Sequence, residues 1–240
     1  MLSFVGRLSC RRRRACQTHA LRFAGLIAFA SAVFAQTPKP PELSLRFTVF
    51  SAKPVEGLTY LPRANVAPAK LVFYPTARSP RYEYRGGNPV RFTDASGAVV
   101  AEATVPPELR DVLLLVSPIE PAPASGVKFR VAVLDDGPAH HAAGGLAIIN
   151  FSGLALSGTI DGKPATLKDG LNPTLAVGRA AKIALHTTLK GRTYQSYVEN
   201  LTLKKNERGL LILFPPFYKG SLEVQSRLLI DEPPTATVPR

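Results

Sequence analysis

The sequence predicts an all-β protein, and three observations carry that prediction. Apolar and polar residues alternate with a period of two through much of the chain, as in Leu43-Ser44-Leu45-Arg46-Phe47-Thr48-Val49. The 22 prolines and 18 glycines cut the chain into short runs separated by turn formers. Beyond residue 35, no apolar stripe at helical spacing persists for three turns.

The first 35 residues have the layout of a secretory signal peptide. Arg7 and the run Arg11 to Arg14 precede an uncharged apolar stretch at 23–34, and Val33-Phe34-Ala35 suits a signal peptidase. That stretch is shorter than the ~20 residues a membrane-spanning helix requires. Cleavage after Ala35 is therefore expected, leaving a mature chain with no transmembrane span. Cys10 and Cys16 depart with the leader, which removes disulfides, Cys-ligated metals and Cys nucleophiles from consideration. Six of the 30 Lys+Arg lie in the leader, leaving 24 against 17 Asp+Glu, a net charge of +7. Those charges are scattered, as on a solvated surface, and no nucleic-acid partner is expected.

Residues 36–42 are a proline-rich spacer. Strands are expected from Leu43 onward: at 43–49, 70–74, 81–84, 90–93, 99–104, 112–116 and 127–134. A second series is expected at 146–151, 156–160, 182–187, 194–203, 210–214 and 222–230, with Asp161-Gly162-Lys163-Pro164 as a hairpin turn.

The chain also repeats itself. A turn feeding an uninterrupted apolar strand that ends in proline occurs at 105–118 and recurs 98 positions later, at 203–216. Each copy continues through a glycine and an alternating strand to an acidic pair, Asp135-Asp136 in the first and Asp231-Glu232 in the second. A spacing near 100 residues, with about seven strands per unit, is the scale of an immunoglobulin-like sandwich. The expected organisation is two tandem immunoglobulin-like antiparallel β-sandwich domains, at 43–138 and 145–240 (the second with a short C-terminal tail), joined by a linker at 139–144. Continuous apolar runs such as Leu113-Leu114-Leu115 fit strands covered on both faces.

Three clusters merit functional consideration. Asp135, Asp136, His140 and His141 combine carboxylates with imidazoles, the donor set of a zinc or other transition-metal site. The competing reading is a polar turn between the domains, with the acidic pair accepting backbone N–H groups where the strand ends. Tyr82, Tyr84 and Arg85 belong to a tract that interleaves tyrosines with arginines, among them Arg78, Arg81 and Arg91. Such a tract can stack on rings while pairing anions. Alternation instead puts Tyr82 and Tyr84 on a half-buried face and Arg81, Glu83 and Arg85 on a solvated one. Phe217 and Tyr218, in a proline-rich turn, form either a recognition knob or a packed cap, and packing is the favoured reading. Hydrolase elbows, zinc-protease motifs and phosphate-binding glycine loops are all missing from the sequence, and no cofactor is expected.

The string at 71–86, the strand end Val131-Ala-Val-Leu-Asp-Asp136 and the start Ile149-Asn-Phe-Ser152 resemble uncharacterised exported bacterial proteins built of two immunoglobulin-like β-sandwich units. The resemblance implies a periplasmic or secreted location and transfers no activity. Two such lobes, a basic mature chain and export also resemble the layout of periplasmic pilus chaperones, whose basic anchor pattern this chain lacks. The leading expectation is a non-catalytic envelope protein that binds a protein or glycan through loop tips or a strand edge. A hydrolase of envelope polysaccharide or peptide, using carboxylates or a His/Asp metal site, is the alternative; a chaperone role is a third.

Overall fold

Seventeen β-strands and no helix make up the described part of the chain. The computed structural model describes residues 42–124 and 126–234, so the leader expected at 1–35, its cysteines and nearly all of the 36–42 spacer lie outside the described residues. In chain order the first strands are β1 (Leu43–Phe50), β2 (Thr59–Tyr60), β3 (Ala69–Lys70), β4 (Tyr82–Gly86), β5 (Val90–Thr93), β6 (Val99–Ala103), β7 (Asp111–Pro118) and β8 (Phe129–Asp135). They form two four-stranded sheets, ordered β4-β1-β7-β8 and β3-β2-β5-β6. The remaining strands are β9 (Gly145–Asn150), β10 (Leu156–Ile160), β11 (Lys163–Leu167), β12 (Gly170–Leu171), β13 (Leu175–Ala176), β14 (Ala180–Leu189), β15 (Arg192–Thr202), β16 (Arg208–Phe214) and β17 (Gln225–Asp231). Their sheets are ordered β12-β9-β16-β17, with β13 also on β9, and β11-β10-β14-β15.

Side-chain alternation explains how the sheets stack. Phe47, Val90, Phe92, Val112, Leu114 and Val116 fill one core, between the sheets of the first half. Leu146, Ile148, Ile183, Leu185, Leu211 and Leu213 fill a second, between the sheets of the second half. The opposite faces of the same central strands form a third cluster, in which Phe50, Leu113 and Leu115 meet Ala147, Ile149, Leu210, Ile212 and Leu229. The uninterrupted apolar runs thus serve two interiors at once. Odd and even residues of β7 point into different cores, as do those of β9 and β16. Each fully buried Leu or Ile contributes about 1.5–3 kcal/mol, so the third cluster binds the halves strongly. All of this lies in one compact unit.

The ladders differ from the expected antiparallel scheme in one respect. β1 runs parallel to β7, and β9 runs parallel to β16. A parallel pair needs a long crossover, and here the chain supplies one by building the other sheet before it returns.

Two local expectations also need revision. The strand expected at 70–74 is only the two residues of β3, after which Val72 donates its N–H to the Tyr82 hydroxyl instead of to a ladder. The hairpin turn at 161–164 is tighter than expected. Asp161 and Gly162 alone turn the chain, both with positive φ (51° and 72°), and Lys163 and Pro164 already belong to β11. Two left-handed residues give the type I′ geometry that matches strand twist. Pro164 is tolerated because β11 is an edge strand.

Candidate functional site

The two halves are joined by a closed ring of alternating charges. Arg78 Nη1 donates to Asp136 Oδ2 at 2.7 Å, and Arg208 Nη2 donates to the same oxygen at 2.7 Å. Arg208 also donates through Nε and Nη2 to the two carboxylate oxygens of Asp231, at 3.1 and 3.0 Å. Asp231 closes the ring on Arg78, whose Nε lies 3.4 Å from Oδ1. Arg208 is fully buried, and Arg78 and Asp136 are nearly so.

Local structure puts each member in place. Arg78 sits in the loop before β4, which is tied to β1 by reciprocal bonds between Ser79 and Val49. Asp136 follows β8, and its N–H bonds to the Asp111 carbonyl. Arg208 opens β16 directly opposite Asp231 on β17. Its Nη1 additionally reaches the carbonyls of Asp136 and His141, both at 2.9 Å. Burial alone would raise the Asp136 carboxyl; the His141 ring and the two guanidinium groups outweigh it and hold the group well below the usual carboxylate range. Burial likewise opposes the charge on Arg208, but its two carboxylate partners overcome this and raise it above its ordinary value.

The four residues considered as metal ligands divide into two pairs. His140 Nδ1 lies 2.6 Å from Asp135 Oδ2, with the imidazole largely exposed. His141 is buried, donates through Nε2 to the Gly209 carbonyl at 2.9 Å, and keeps Nδ1 3.9 Å from Asp136. Among the described residues, no three His, Cys, Asp or Glu side chains gather as metal ligands. Asp135 also accepts the Gly137 N–H at 2.9 Å, the turn-closing role its position suggests. All four residues line a cleft of about 370 Å³ whose apolar wall includes Leu113, Leu134 and Leu210.

On β4, Tyr82 and Tyr84 are half-buried against the first core, while Glu83 and Arg85 are exposed. Tyr82 stacks near Phe47 and Tyr60, with ring centroids 5.4 and 5.6 Å apart. Tyr84 and Arg85 line a second groove, of about 360 Å³, together with Arg63 and Arg91. Tyr82 faces the core and does not join them there.

Phe217 and Tyr218 overturn the packing reading. They are 74% and 72% exposed and stand edge to face, with ring centroids 4.9 Å apart. Two prolines separate them from the end of β16, and a bond from Ser221 N–H to the Tyr218 carbonyl closes the turn.

Sequence reasoning missed Arg208, and it considered Arg78 only as a member of the tyrosine–arginine tract, whose arginines alternation assigned to solvent, whereas Arg78 is buried. One signal was present: the repeat aligns the acidic pairs of the two copies, and both pairs supply an aspartate to this ring. The chain matches no protein-family model and no curated protein by sequence.

Proposed function

We propose that this chain is an exported bacterial envelope protein of two tandem immunoglobulin-like lobes, processed after Ala35, that acts by binding and performs no catalysis. The arginine-rich leader with its apolar run supports export to the periplasm or beyond. The recurrence of one pairing scheme supports the tandem reading: β1, β7 and β8 are matched by β9, β16 and β17, each set with a parallel and an antiparallel ladder. The charge ring and the shared apolar layer make the two lobes one rigid frame, suited to presenting loops at fixed spacing.

One observation carries the binding reading. Phe217 and Tyr218 form an exposed aromatic pair at the end of a buried strand, the residue types that dominate recognition surfaces. The partner is an envelope protein or glycan. Crosslinking in envelope extract tests the reading. A discrete adduct should form with the native chain and disappear in the Phe217→Ser/Tyr218→Ser double variant, with melting temperature unchanged. Equal adduct yield from both proteins rules the pair out.

A hydrolase is the second reading, favoured by the Asp135–His140 contact at the mouth of an apolar cleft, since a carboxylate behind an imidazole is the arrangement of a general base. Turnover of envelope polysaccharide or peptide lost in His140→Ala would establish it.

A further inference from the structure

We propose that the groove beside β4 is a binding site for an acidic saccharide, with the arginines holding its oxyanion and Tyr84 its ring. The proposal rests on the binding reading above and gives it a ligand class and a location separate from the aromatic knob.

Three guanidinium groups, Arg63, Arg85 and Arg91, line this groove of about 360 Å³, and its wall contains no carboxylate. The volume is within the range of small-ligand sites. Arg85 and Arg91 each touch one carboxylate through Nε, Glu42 at 3.2 Å and Glu102 at 3.0 Å. Both pairs are exposed, so they are weak and easily re-aimed. The Nε contacts also leave the terminal nitrogens of both arginines for a planar oxyanion, the geometry guanidinium recognises best. Arg63 has no carboxylate partner among the described residues.

The walls are prearranged. Arg85 N–H bonds to the Pro62 carbonyl at 2.7 Å, fixing the 61–64 segment against β4. Asn88 bonds both ways with the backbone of Val105, at 2.7 and 3.1 Å. The Tyr84 hydroxyl donates to the Gly87 carbonyl at 2.6 Å, which anchors the ring along the groove. Gly86 makes that placement possible, since a Cβ there would lie 2.8 Å from the Tyr84 hydroxyl. Leu61, largely exposed, adds a second apolar surface. Exposed guanidinium groups beside aromatic and aliphatic walls match a sugar ring that bears an anion, and a bare anion would leave those walls unused.

The test uses the chain purified from an exporting host, at low salt, by isothermal titration. The probes are a uronic-acid trisaccharide, its neutral reduced counterpart, a hexose phosphate and inorganic phosphate. Saturable binding of the uronate or the hexose phosphate supports the proposal and identifies the oxyanion as carboxylate or phosphate. Arg63→Gln and Arg91→Gln should each weaken that binding roughly tenfold, the scale of a lost charge-assisted hydrogen bond, without altering the circular dichroism spectrum. Binding of the neutral sugar with equal affinity, unchanged affinity in both variants, or inorganic phosphate binding as tightly as the saccharides would each overturn it. A chain that ignores every probe yet still forms its Phe217/Tyr218-dependent adduct overturns this site and leaves the binding role standing.

Discussion

Arg208 Nη2 and Asp136 Oδ2 lie 2.7 Å apart in a fully enclosed setting, joining the start of β16 to the end of β8. This contact is strong and unforgiving, because removing one partner leaves the other charge buried. Arg208→Leu should therefore destabilise the protein by about 3–5 kcal/mol, read as a lower urea midpoint with little change in slope. A loss below about 1 kcal/mol would show that water reaches the ring. Replacing the whole ring by apolar residues of similar volume should cost far less, since desolvation of the four charges is then no longer incurred.

Acid should act through Asp136. Its folded-state carboxyl lies well below the ordinary carboxylate value: burial works against ionisation, but the His141 ring, Arg78 and Arg208 prevail. A depressed group stabilises the fold fully above its unfolded value, near pH 4, and that contribution drains away as pH falls toward the folded value. Stability should drop by on the order of 2–3 kcal/mol over this acid range, and Asp136→Asn should flatten the drop while lowering stability at neutral pH. Parallel acid curves for both proteins would contradict the assignment.

Alkali should act through Tyr60. Burial, with smaller contributions from Tyr82 and Glu83, raises its phenol to about 12. A raised phenol favours the protonated fold, so its contribution is complete below the unfolded value near 10 and is lost as pH climbs toward 12. Burial also raises the Tyr84 and Tyr197 phenols, so absorbance titration near 295 nm should show a late-ionising group of tyrosines, and Tyr60→Phe should remove one tyrosine's share of it. At neutral pH the same variant should cost about 1 kcal/mol, through loss of the 3.1 Å bond to the Glu83 carbonyl.

Gly158 is a steric requirement of β10. A Cβ at this position would run into the carbonyl of Ala184 on the neighbouring strand β14. Gly158→Ala should force the ladder apart and cost about 3 kcal/mol, measured by chemical denaturation. A neutral effect would mean that the two strands approach less closely in solution.

The strands were legible where alternation was clean, as in β1, or where an apolar run was unbroken, as in β7 and β16. Short ladders such as β2, β12 and β13 carry two residues each, too few for any period to register. The runs at 112–116 and 210–213 announced cover on both faces; composition could not say that the second cover was the other half of the same chain. Among site residues, the partition of Tyr82 from Arg85 follows from period two alone. Arg208 was hidden because Lys204-Lys205-Asn206-Glu207 just before it reads as an exposed charged turn. Its burial depends on Asp136, 72 residues away, a distance over which local pattern is silent. Phe217 and Tyr218 were misjudged for the opposite reason: apolar character argues for packing, and only the two prolines before them hinted that the turn projects.

The charge ring divides evenly along the chain. Arg78 already holds Asp136, and Arg208 already holds Asp231, so each half carries a neutral pair before the two meet. A polypeptide severed between residues 139 and 144 would thus yield fragments whose ring charges are already paired and which are each equipped with an interior of their own, yet left with a greasy sheet face that the other matches. Such pieces are suited to fragment complementation: mixed at micromolar concentration, they should reassemble without the peptide bond that once linked them.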